Sequence, residues 1–160
     1  MVIYDSTENQ PINYWVIVND GVMGGLSKGK PVLTSDNFLK FYGTISLENN
    51  GGFSLIRYRF DTIDGSKYTV LKLRVRGDGK RYQLRAKYNT NDRHSYIAYF
   101  ITSGQWQTIE IPFNTMIPFL RGHKLNLPNF TGQRLAEVGV LIGNKKSEDF
   151  ELLIERIVLE

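Results

Sequence analysis

The sequence predicts an all-β fold, an antiparallel two-sheet β-sandwich of jelly-roll type, on three observations. Apolar residues recur with period two through most of the 160 residues. The apolar segments are short, and Gly, Asn, Asp and Pro break them at intervals that suit turns. Little of the chain is left over for helix.

The elements follow in order. YWVIV at 14–18 is a short apolar, β-branched run, and LKFYGTISL at 39–47 and FSLIRYRF at 53–60 carry apolar residues between polar ones. YTVLKLRVR at 68–76 and RYQLRAKY at 81–88 alternate most cleanly. Further strands are predicted at 96–101, 106–111, 136–142 and 150–159. About nine strands at this spacing suit a sandwich. Residues 114–131 contain two prolines and no sustained period, which predicts a long ordered loop across one end. With no internal repeat or linker, residues 1–160 read as one domain.

Asp78-Gly79 suits a two-residue type I′ hairpin turn between 68–76 and 81–88. In that register Val75 faces Tyr82, Leu73 faces Leu84 and Leu71 faces Ala86, all on one side. The other side sets Lys72 against Arg85, Arg74 against Gln83 and Arg76 against Arg81, with Lys87 beyond. Like charges directly across a strand pair repel, so this candidate binding face requires solvent, neighbouring acids or an anionic ligand.

Composition excludes several chemistries. The absence of cysteine removes disulfides, thiolate metal sites and cysteine nucleophiles. A formal charge of +4 is mildly basic without the dense Lys/Arg runs of nucleic-acid tails, so no nucleic-acid partner is predicted. The opening MVIYDSTENQ has neither a basic start nor an apolar core, and no apolar run approaches the ~20 residues that span a bilayer. The expectation is a cytoplasmic protein without a transmembrane segment.

Residues 24–30 (GGLSKGK) match the core of a phosphate-binding P-loop, but Pro31 stands where that motif needs Ser or Thr, and no helix pattern follows. The stretch reads instead as a shaped connection. Asn19-Asp20-Gly21 forms a turn, Gly24-Gly25 permits unusual backbone geometry, and Val22 and Met23 supply an apolar tip that tucks under the sandwich. ENNGG at 48–52 uses the same turn chemistry, and the alternative is that the two loops form a ligand rim. His94 and His123 lie in different loops, so no metal site is predicted. A glycosidase pair among Glu110, Glu137, Glu155 and Asp92, or a calcium site on Asp20, has no supporting motif. Core packing is the expected role of most of the aromatics Trp15, Tyr58, Tyr82, Tyr88, Tyr96, Tyr99 and Trp106, and an exposed ring would suit a sugar or a protein partner.

Trp15 with NDGVMGGLS at 19–27, FYGTISLENNGGFSLIR at 41–57, RGDGKRYQLR at 76–85, GQWQTIEIPF at 104–113 and FLRG at 119–122 together resemble the complex I intermediate-associated protein family. The resemblance implies a galactose-binding-domain-like jelly roll and a non-enzymatic role without cofactor or catalytic residues. It implies protein binding or assembly-chaperone work, with a respiratory-complex intermediate as a candidate partner, in a bacterial-type member. The residues it carries over are Asn19, Asp20, Gly21, Met23, Gly24, Gly25 and Ser27, then Asn49, Asn50, Gly51, Gly52 and Phe53, then Gly77, Asp78, Gly79 and Tyr82. The alternative function is a carbohydrate-binding module that takes a glycan on the polar sheet face.

Overall fold

The computed structural model describes residues 1–8 and 12–160, without the side chains of Asn13, Val22 and Met23. The expected apolar tip at Val22 and Met23 therefore lies outside the described residues. In chain order the strands are β1 (Val2–Asp5), β2 (Trp15–Asn19), β3 (Lys28–Leu33), β4 (Leu39–Ile45), β5 (Ser54–Ile63), β6 (Val70–Arg76), β7 (Arg81–Lys87), β8 (Ser95–Ile101), β9 (Trp106–Pro112), β10 (Ile117–Leu120), β11 (His123–Lys124), β12 (Leu135–Ile142) and β13 (Glu148–Leu159). They form two antiparallel sheets. One runs β3-β4-β13-β6-β9 with β1 also paired to β13, and the other runs β11-β10-β8-β7-β12-β5-β2.

Period-two alternation explains the packing. Leu39, Phe41 and Ile45 of β4, Leu71, Leu73 and Val75 of β6, and Leu152, Ile154 and Ile157 of β13 point inward from the six-stranded sheet. Ile56, Tyr82, Leu84, Val138 and Val140 meet them from the other sheet in one apolar cluster. Each such aliphatic side chain contributes about 1.5–3 kcal/mol on burial. Tyr4, Trp15 and Tyr58 close one flank, with ring centroids 5.1–5.5 Å apart.

All nine expected strands form, with shifts of a few residues at their ends. The sequence pattern missed β1, β3, β10 and β11. β3 (KGKPVL) reads as a loop because of its glycine and proline, yet it is an edge strand, where a missing N–H is tolerated. The expected loop at 114–131 instead carries β10 and β11, and β10 extends the seven-stranded sheet beside β8.

The predicted hairpin is overturned. β6 pairs with β9 and β13, β7 pairs with β8 and β12, and the two lie in different sheets. Only Gly79 of the two turn residues has positive φ (84°), whereas a type I′ turn requires it at both. Burial of Leu71, Leu73, Val75, Tyr82, Leu84 and Ala86 fits a hairpin and a sheet-to-sheet crossing equally, because either one puts all six inside. Lys72, Arg74 and Arg76 therefore sit on the outer face of one sheet, and Arg81, Gln83, Arg85 and Lys87 on the outer face of the other.

Candidate functional site

The two glycine-rich loops bind each other. Asp20 is 1% exposed, and its carboxylate accepts the backbone N–H of Ser27 at 2.9 Å, of Gly52 at 2.6 Å and of Phe53 at 3.4 Å. Burial alone raises a carboxyl pKa, but these hydrogen bonds outweigh it and hold Asp20 below the ordinary carboxylate value. Glycine is required on both sides: a Cβ on Gly25 would stand 2.3 Å from Asp20 Cγ, and one on Gly51 2.4 Å from Asp20 Oδ2. Asn49 and Asn50 turn the second loop through left-handed backbone, at φ 56° and 60°.

Neighbouring side chains complete the clasp. Asn19 Oδ1 accepts Gly29 N at 3.1 Å and Ser54 Oγ at 2.6 Å, and Ser27 Oγ accepts Ser46 N at 3.0 Å. Asp20 thus has its oxygens committed to backbone donors, an arrangement that pins loops and leaves little for a cation. Gly21 and Gly24 complete the first turn, with Gly24 at φ 87°.

Gly77-Asp78-Gly79 is the crossing between sheets. Asp78 accepts the Tyr82 hydroxyl at 3.0 and 3.1 Å and Glu151 N at 2.8 Å, which ties the crossing to β13. Thr102 Oγ1 donates to Lys80 O at 2.8 Å and accepts Gly79 N at 3.1 Å. These contacts fix the crossing at the surface of the sandwich.

The outer face of the six-stranded sheet is electrically satisfied. Lys72 Nζ lies 3.2 Å from Glu110 Oε1 and 2.7 Å from Glu160 Oε2, Arg74 Nε lies 4.0 Å from Glu155 Oε2, and Arg156 Nε 3.4 Å from Asp5 Oδ2. Arg76 Nε donates to Gly104 O at 3.1 Å. A depression of about 370 Å³ among Lys72, Arg74, Glu155, Arg156 and Glu160 is lined by these matched charges. Glu110 and Glu155 are each engaged by a cation, and Glu137 lies on the other sheet, so the acids do not converge.

The outer face of the seven-stranded sheet differs. The register sets Arg57, Gly139 and Arg85 in one row, and Arg59, Glu137 and Lys87 in the next. Glu137 is the only acid in these two rows, and Arg59 Nε takes it at 2.6 Å. Burial pushes the Lys87 ammonium below its ordinary value; Glu137 opposes this, while Arg57, Arg85 and Arg59 add to it. Arg85 is likewise pushed down by burial, against the pull of Glu137. In the next row Gln83 donates to the Tyr99 hydroxyl at 2.9 Å, and Arg81 lies over the Tyr99 ring at 4.1 Å. Tyr99 is 49% exposed and Ile101 68%.

Comparison with known proteins gives the family. The family model for complex I intermediate-associated protein 30 matches residues 4–154. The chain belongs to the complex I intermediate-associated protein 30 family. Mitochondrial complex I intermediate-associated protein 30 of Mus musculus is 24% identical, with 98% of this chain and 55% of that protein covered. Its Drosophila melanogaster counterpart is 24% identical over 99% of the chain and 62% of that protein. The chain thus spans a little over half the length of these relatives. Among solved structures, a family 11 carbohydrate-binding module from Clostridium thermocellum in complex with a β-1,3-1,4-mixed-linked tetrasaccharide superposes with a TM-score of 0.73 at 17% identity, covering 99% of this chain and 94% of that one. A second structure of that type of module, from the cellulosomal cellulase Lic26A-Cel5E, gives 0.74 over 99% and 92%. These show the jelly-roll fold.

Among the carried-over loop residues, Asp20 and Asp78 are the two that anchor backbone from distant parts of the chain. Of the predicted face, Arg81, Gln83, Arg85 and Lys87 stay together, while Lys72, Arg74 and Arg76 are removed to the other side of the core. Sequence reasoning missed Arg57, Arg59 and Gly139. Alternation marks Arg57 and Arg59 as outward-facing, but only the order β5-β12-β7 brings them beside Arg85.

Proposed function

We propose that this chain is a binding domain without chemistry of its own that holds a protein partner on the outer face of the seven-stranded sheet. The observation that carries the reading is the charge imbalance of that face: Arg57, Arg59, Arg85 and Lys87 surround the single carboxylate of Glu137, whereas the cations opposite are matched one by one. Exposed Ile101 and Val16 add apolar contact on the same face. The relatives are named for association with a complex I intermediate, which makes a respiratory-complex intermediate the candidate partner. A cytoplasmic location belongs to the same proposal and is tested by cell fractionation.

A photo-crosslinking residue at Ile101, on the proposed face, is expected to capture a defined protein in the native cell. The same residue at Thr108, on the opposite outer face, is expected to capture none. Equal capture from both positions, or none from either, refutes the reading. The half-exposed Tyr99 ring beside Gln83 favours carbohydrate as a second reading. Calorimetric titration with a mixed-linkage glucan oligosaccharide tests it, and a heat signal abolished by Tyr99→Ala would support it.

A further inference from the structure

Folding leaves the Nε atoms of two guanidiniums on this face without a hydrogen-bond partner among the described residues. The Nε atoms of Arg57 and Arg85 are shut off from solvent, and their N–H groups donate to no neighbour among the described residues. Among the described residues neither side chain makes an ion pair, since the salt bridge of the row goes to Arg59 and Lys87 donates to Asp92 O at 2.8 Å. A buried polar group left unsatisfied is rare in a folded domain, and an unpaired cation is the most costly kind. Of the buried side-chain atoms without a hydrogen-bond partner among the described residues, these are the two that belong to cations, and they share one row of one sheet face.

The geometry is that of a receiving site. Arg57 and Arg85 stand on β5 and β7 with Gly139 of β12 directly between them. Two strand spacings separate their backbones, roughly 10 Å, and the glycine adds no side chain of its own to the gap, whose edge is formed by Leu55 Cδ1, 3.2 Å from where a Cβ on Gly139 would stand. Guanidinium forks at such a separation can close on a carboxylate from both sides, each through paired N–H donors.

We propose that Arg57 and Arg85, across the floor at Gly139, receive the carboxylate of an acidic peptide segment of the protein partner. The inference rests on the protein-partner reading above. The surroundings favour peptide over glycan. Val16 flanks Arg57, Ile97 flanks Arg85, and Leu55 and Leu141 lie in the adjoining row, so aliphatic side chains frame the charge. Sugar rings stack on bare aromatic faces, and the Tyr99 ring already carries Arg81 at 4.1 Å. Short aliphatic residues beside a Glu or Asp fit this frame.

The test uses the full chain labelled with ¹⁵N-arginine and titrated with a capped peptide of alternating Leu and Glu. The Nε–H signals of Arg57 and Arg85 are expected to move together and saturably, and the matched Leu/Gln peptide is expected to leave them in place. Arg57→Gln and Arg85→Gln are each expected to weaken the Glu peptide about tenfold or more, as befits loss of a charge-assisted hydrogen bond. Arg74→Gln, on the opposite face, is expected to leave binding unchanged. Arg85→Met is expected to raise the melting temperature of the free protein while removing the peptide response, because it deletes a half-buried cation whose Nε has no hydrogen-bond partner. A merely structural arginine would lower the melting temperature.

Three results overturn the proposal: no movement of either Nε signal, equal movement with the Gln peptide, or a stronger saturable response to an oligouronate, which would make the occupant an acidic glycan. The photo-crosslink separates this inference from its premise. Capture at Ile101 that persists in the Arg57→Gln/Arg85→Gln double variant removes the carboxylate site and keeps the partner. Nε movement with the peptide but no capture keeps the site and removes the partner.

Discussion

Replacing Asp20 by alanine removes the acceptor that joins the two glycine-rich loops. Two short backbone bonds are lost, from Ser27 N at 2.9 Å and Gly52 N at 2.6 Å, and the Phe53 contact at 3.4 Å adds little. Each orphaned donor costs about 1–3 kcal/mol, so Asp20→Ala is expected to cost about 2–6 kcal/mol. That is a large fraction of the about 5–15 kcal/mol by which domains are stable. Urea unfolding should show the midpoint falling with an unchanged slope. Asp20→Asn keeps one acceptor but turns an NH₂ toward a backbone N–H, and about 2–3 kcal/mol is expected. The pH dependence fixes the role of charge. The folded-state pKa of Asp20 lies below its unfolded value of 3.8, so its contribution is complete above that value and is lost as pH falls through the folded pKa. The gap between wild type and Asp20→Asn should therefore be flat near neutrality and shrink only below about pH 4. An Asp20→Ala loss under about 1 kcal/mol, or a gap that persists in acid, refutes the clasp.

Other perturbations probe the same framework. Gly51→Ala places a Cβ 2.4 Å from Asp20 Oδ2 and 2.9 Å from Ser46 O, and a loss of about 1–3 kcal/mol is expected in the same urea assay. Tyr82→Phe deletes the hydroxyl that Asp78 accepts, for about 1–2 kcal/mol. Burial holds the Tyr82 and Tyr4 phenols protonated well above their ordinary value, Tyr4 up to about 12, so their stabilisation is present below pH 10 and is lost as pH rises. An ultraviolet titration should then show tyrosines that ionise only with alkaline unfolding, and Tyr82→Phe should blunt that transition. Thr102→Val removes the bridge between Lys80 O and Gly79 N, and hydrogen exchange at Gly79 is expected to accelerate.

Strand identity was legible because Leu71, Leu73, Val75 and Tyr82, Leu84, Ala86 alternate without a break, and alternation reports which side of a strand is dry. It does not report which strand lies alongside. The Asp78-Gly79 pair looked like a hairpin turn, yet Asp78 is held by Tyr82 and Glu151, a partner 73 residues away that no local pattern discloses. The same limit applied to the site. Arg85 was visible as an outward-facing cation, but its companion Arg57 lies 28 positions earlier and reaches it only across β12. The glycine-rich loops gave the opposite lesson: their turn chemistry was plain, and their purpose became clear only once Asp20 was seen between Gly25 and Gly51.

The placement of β13 bears on how the chain can be made. This last strand is an interior member of its sheet, paired along Glu148–Ile154 with β4, along 153–159 with β6, and at 156–158 with β1. During synthesis, β4 and β6 must each wait with an unpaired edge and an apolar face until β13 has left the ribosome. Such long-range closure is slow and exposes sticky intermediates, so a nascent chain of this design depends on protection until β13 is in place.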